Sequence, residues 1–166
     1  MANRLRTVGL LKVAPYITLA TMAVALAAFI HQRSAWSGSG FKDDPAEWPA
    51  PLQSLLVDSP SIAQNCEVFI IDAFIDQKSV WLIRKHDADV ARLISENQLL
   101  AADSKHPKLA ELLRLLPPKW AKPSIADATI YATEGYGVEH IESDRLLLVV
   151  QDEASNCTYV LHESIF

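Results

Sequence analysis

Hydrophobic and polar positions divide the chain into three regimes. From Val13 to Ile30 runs an 18-residue stretch without a charge, broken only by Pro15, Thr18 and Thr21. From 31 to 50 the pattern dissolves into Gly, Ser, Pro and charged residues. From 51 onward apolar residues return with the periods of strands and helices. Cys66 to Ile75 is β-branched, aromatic and apolar on both faces, which predicts a strand covered on both sides. Asp76-Gln77-Lys78-Ser79 reads as a polar turn and Val80 to Ile83 as the returning strand. Two helices follow. The first opens at Asp87 as N-cap, with Val90, Leu93, Ile94 and Asn97 on one face and Leu99 and Leu100 as an apolar tail. The second opens near 104–107 and carries Leu109, Leu112, Leu113 and Leu116 until Pro117-Pro118 stops it. Ala128–Thr133, Leu146–Val150 and Cys157–Leu161 read as three further strands. The order ββααβββ predicts an α+β domain, a mostly antiparallel sheet with both helices on one face.

The first regime is long enough to matter by itself. At about 1.5 Å per residue the run spans roughly 27 Å, close to the apolar thickness of a bilayer. Arg4, Arg6 and Lys12 precede it, while only His31 and Arg33 follow before an acidic stretch. The positive-inside bias then keeps the N-terminus cytoplasmic and exports the rest. Two fates remain open: a retained signal anchor, or a signal peptide cleaved after the small-x-small site Ala25-Leu26-Ala27. Phe29 and Ile30 prolong the run past that site, and Trp36 suits the outer interface. The expected organisation is a basic segment at 1–12, a transmembrane segment at 13–30, a flexible linker at 31–50 and an extracytoplasmic domain at 51–166.

Charge sharpens this picture. The chain carries 15 Lys+Arg and 20 Asp+Glu. Four of the bases and none of the acids fall in residues 1–33, which leaves 11 bases and 20 acids beyond, a net of −9. Such a domain lacks the basic face that phosphate neutralisation requires, so nucleic acid is excluded as a partner. The two cysteines, Cys66 and Cys157, both lie in the exported part. An even pair in an oxidising compartment predicts one disulfide, which is plausible if the strands they open are neighbours.

No reactive constellation stands out. No Gly-x-Gly-x-x-Gly, Walker loop, paired-histidine helix or Gly-x-Ser-x-Gly elbow occurs, so no cofactor and no catalytic residue are assigned. The most suggestive run is His140-Ile-Glu142-Ser-Asp144, which on an extended segment places three N/O ligands on one face. The bland alternative, a solvated acidic hairpin end, fits the same residues. Glu134-Gly135-Tyr136-Gly137 reads as a loop whose glycines permit positive φ and which offers a recognition lip. Glu134, Tyr136, His140, Glu142 and Asp144 are therefore the candidate ligand or interaction residues. The expected function is a non-catalytic, single-pass, tethered accessory module meeting an envelope protein. A small-ligand-binding exported domain is the alternative. A hydrolase or metalloenzyme using His140, Glu142 and Asp144 is a third.

Overall fold

The structure is a computed structural model and describes residues 39–72, 77–84, 87–138 and 145–164. Seven strands form one sheet: β1 (Gly40–Lys42), β2 (Cys66–Asp72), β3 (Gln77–Arg84), β4 (Leu100–Ala102), β5 (Thr129–Ala132), β6 (Leu146–Asp152) and β7 (Cys157–Ser164). Among the described residues four α-helices accompany them: α1 (Ala50–Asp58), α2 (Ile62–Asn65), α3 (Asp87–Glu96) and α4 (Lys108–Leu115). The strand order is β1-β2-β3-β7-β6-β5-β4, and every neighbouring pair is antiparallel. The α+β class and the antiparallel sheet agree with the sequence reading.

The helices do not share a face. Leu52 and Leu55 of α1, Ile62 of α2, and Val90 and Leu93 of α3 pack in one cluster with Val68, Trp81, Ile83, Leu147, Val149 and Val160. Leu109 and Leu112 of α4 pack with Val80, Leu82, Leu146, Leu148, Val150 and Leu161 on the other side. Period-2 alternation along β3 and β6 thus feeds two cores rather than one. This is why Leu-Leu-Leu-Val-Val in β6 is apolar at consecutive positions, although antiparallel sheets often leave one face wet. The placement of both helices on one face is therefore corrected. Each helix has its own amphipathic stripe, and nothing in a stripe says which side of a sheet it will cover.

Three boundaries move. β1 and the short 3-10 turn Pro45–Glu47 fall within the stretch read as linker, so Gly40 already belongs to the sheet. Leu100, read as the tail of a helix, opens the edge strand β4 and pairs with Ala132. Lys78 and Ser79, read as a turn, lie within β3. The segments 1–12 and 13–30 lie outside the described residues. Among the described residues no helix is long and apolar enough to cross a membrane.

The expected disulfide is contradicted. Cys66 and Cys157 are both free thiols. They do open β2 and β7, but β3 runs between those strands, pairing Ile83 with Cys66 and Arg84 with Cys157. Two strand spacings amount to about 10 Å, beyond the Cα separation a disulfide bridges. The side chains also serve different cores, Cys66 one and Cys157 the other.

Candidate functional site

The loop proposed as a recognition lip turns inward. Glu134 is exposed, but Tyr136 is only 2% exposed. Its hydroxyl donates to Glu163 Oε2 at 2.9 Å. Gly137 makes the approach possible. It sits at φ +81°, and a Cβ there would fall 2.8 Å from Lys108 Cγ. Burial, then the negative charge of Glu163, pushes the Tyr136 hydroxyl well above its ordinary range. His140, Glu142 and Asp144 lie outside the described residues, as do His31, Asp76 and His86. His106 is half-buried beside Tyr136, with ring centroids 6.2 Å apart, and its Nδ1 accepts from the Lys108 N–H at 3.3 Å.

Around Glu163 the charges close on themselves. Lys78 Nζ lies 2.7 Å from Glu111 Oε1 and 2.6 Å from Glu163 Oε1. Lys108 Nζ lies 2.9 Å from Glu111 Oε2 and 2.9 Å from Glu163 Oε2. Two ammoniums and two carboxylates thus tie α4 to β3 and β7, and Tyr136 fills a further acceptor position. Every acid here has two cations, which leaves little for an outside group. The square is a clasp between layers.

A second polar group is sealed in the opposite core. Ser79 Oγ accepts from Trp81 Nε1 at 2.8 Å and stands 3.3 Å from His162 Nδ1. Serine beside histidine invites comparison with a nucleophile and its base. Ser79 and His162 are 0% and 3% exposed, however, so no substrate reaches them. The pair belongs to the core.

The open chemistry lies at the other edge. β1 covers only Val68 to Ile70 of the seven-residue β2, and after Lys42 the chain leaves the sheet. Where it leaves, a cleft of about 130 Å³ remains, with Trp48, Cys66 and Val68 among its apolar walls and Lys42, Asp43, Glu67 and Lys119 among its polar ones. Trp48 is held by its Nε1, which donates to the Lys42 carbonyl at 2.8 Å. Glu67 organises the outer wall. It takes Arg84 Nη2 at 2.6 Å on Oε1, and Lys119 Nζ at 2.6 Å and Trp120 Nε1 at 3.0 Å on Oε2. Burial alone raises a carboxyl, but the bonds from Lys119, Trp120 and Arg84 outweigh it and bring Glu67 down to about 2. Lys119 also lies 3.6 Å above the Phe41 ring, and Phe41 packs edge-on against Phe69 and Trp120. Burial, then the charge of Glu67, pushes the Cys66 thiol up to about 12, so it stays protonated and inert at neutral pH.

The sequence carried a signal for this site that motif searching passes over. Glu67 is a lone acid in the apolar run Cys66-Glu67-Val68-Phe69-Ile70-Ile71. A charge in such a run needs partners, and Lys119-Trp120 after the double proline supplies two of them. Among the described residues no group of three or more His, Cys, Asp or Glu is arranged to hold a metal ion. Comparison with protein-family models, with curated proteins and with solved structures returns no match.

Proposed function

We propose that this chain is a single-pass, membrane-tethered module without catalysis of its own, whose domain lies outside the cytoplasm and serves an envelope assembly as an accessory or interaction partner. The observation that carries this reading is the uncharged run from Val13 to Ile30 behind Arg4, Arg6 and Lys12. The membrane is then the first partner, and an envelope protein the second.

Two features of the domain support the reading. The Glu163 clasp and the Ser79–His162 pair direct their polar atoms at one another, away from any substrate. The cleft at the end of β1, at about 130 Å³, is well below the roughly 300–1,000 Å³ of ordinary small-molecule pockets. It suits one inserted side chain better than a free metabolite, and it lies where β1 ends along β2.

Fractionation with intact-mass measurement tests the tether. The expected result is a full-length chain in the membrane fraction, released by detergent and not by high salt. Its domain would be cut by protease added from outside the cytoplasm. A shorter soluble chain beginning near Ala28 would overturn the tether and favour a freely exported protein.

A further inference from the structure

We infer that His106 is a proton-operated latch: protonating its ring releases the start of α4 and frees the loop 134–138 in mildly acidic surroundings. The inference goes beyond the proposed function and holds whether or not the chain is tethered.

α4 begins at Lys108 behind Pro107, which has no N–H of its own and offers no side-chain acceptor. His106 meets the first two free N–H groups of the helix instead. Its carbonyl accepts from the Leu109 N–H at 3.0 Å, and its Nδ1 accepts from the Lys108 N–H at 3.3 Å. An Nδ1 that accepts carries no proton, so the ring is neutral with its hydrogen on Nε2. Asp103 takes the Lys105 N–H, also two residues on, at 2.8 Å.

A second proton has no place while the latch is closed. It would sit on Nδ1, donor facing donor, at the positive end of the α4 dipole. Burial is the largest influence on the ring and disfavours the cation. Asp103 and the Tyr136 backbone favour the cation, Lys108 opposes it, and the balance leaves the ring below the ordinary histidine range. Once released into water, the ring titrates near the ordinary value of about 6.5. The closed state is therefore complete above about 6.5 and is lost as pH falls through the lower, folded value.

Opening reaches further than one hydrogen bond. Lys108 carries both the N–H that His106 holds and the Nζ that binds Glu111 and Glu163. Tyr136 carries both the ring beside His106 and the hydroxyl on Glu163. Gly137 lies so close that a Cβ there would fall 3.1 Å from Pro107 Cγ. The loop thus leans on the residues that His106 keeps in place, while Glu134 and Val138 at its two ends are already exposed.

Hydrogen exchange read by mass spectrometry, on the full-length protein in detergent micelles, tests the latch at about pH 7.5 and about pH 5, either side of the ordinary histidine value. After correction for the intrinsic pH dependence of exchange, protection in 106–110 and 134–138 should fall roughly three- to tenfold in acid, the worth of one hydrogen bond at a helix start. β6 and β7 should keep theirs. His106→Asn retains an acceptor two residues before Lys108 and cannot titrate, so it should stay protected at both values. An equal fall in His106→Asn, or an equal fall in β6 and β7, would overturn the latch. NMR titration of the unaltered protein needs no variant. The Lys108 amide should shift together with the His106 ring, at one midpoint below about 6.5. A midpoint at or above that value, or an amide that ignores the ring, would overturn the latch as well.

Discussion

Tyr136 donates its hydroxyl to Glu163 at 2.9 Å, across 27 residues of chain, and so joins a surface loop to the second-to-last residue of β7. The same carboxylate receives Lys78 and Lys108. A buried acid with three donors is stable only while the set is complete.

The energetic consequence is asymmetric. The Glu163 side chain is 6% exposed and the two lysines about a fifth exposed. Removing the acid leaves two cations facing each other with one carboxylate between them. Glu163→Ala should cost about 3 kcal/mol, at the low end for a broken buried pair because the lysines reach some water. Tyr136→Phe removes one hydrogen bond to a charged group and should cost about 1.5 kcal/mol. Urea unfolding followed by tryptophan emission measures both. A Glu163→Ala cost equal to or below that of Tyr136→Phe would show that the clasp contributes little.

The same clasp sets a pH window. Burial disfavours the charged forms of Glu111 and Glu163, yet the bonds from Lys78 and Lys108, with Tyr136 at Glu163, outweigh it and hold both below the ordinary carboxylate range. Burial also opposes the ammoniums of Lys78 and Lys108, and Glu111 and Glu163 outweigh it, holding both above the ordinary lysine range. Depressed carboxyls give stability that is present above the unfolded value of about 4.3 and lost as pH falls through the folded values. Raised lysines give stability that is complete below about 10.4 and lost as pH rises through theirs. Glu67, at about 2, extends the acid loss to about pH 2. The urea midpoint should be highest from about pH 6.5 to about pH 8.5 and fall on both sides, because His106, held down by burial, starts the acid loss near its ordinary value and Cys66, pushed up to about 12, starts the alkaline loss near its own. An unchanged midpoint at pH 3 would contradict the assignment.

The thiols give a third measurement. With Cys66 and Cys157 free, the denatured chain should take up two maleimides without reductant. In the native protein Cys66 should stay silent, because it is buried and its thiol is pushed up to about 12. Cys157, half-buried, is the one open to slow labelling. Mass spectrometry counts the adducts. A denatured chain that labels only after reduction would restore the disulfide.

Elements with internal periodicity were legible in the sequence, and elements made by pairing were not. β2, β6 and β7 announce themselves as apolar runs, and α3 and α4 as stripes. β1 is Gly-Phe-Lys at the end of a Gly/Ser stretch and becomes a strand only because Phe69 lies opposite Phe41. β4 is a strand only because Ile130 to Ala132 offers it an edge. Lys78 looked like turn material because charges usually leave the sheet, whereas here it pairs with acids on α4 and β7. The cysteine pairing failed for a related reason. Both residues open strands as expected, but strand order is a property of topology, and β3 came between them.

That strand order also governs when the domain can exist. β7, the last strand made, lies at the centre between β3 and β6. Until it has left the ribosome or an export channel, β3 has an apolar, unpaired side. The first half of the sheet therefore cannot finish ahead of the second. The apolar side of β3 stays uncovered until β7 is made, which ties completion of the sheet to a late, non-local pairing.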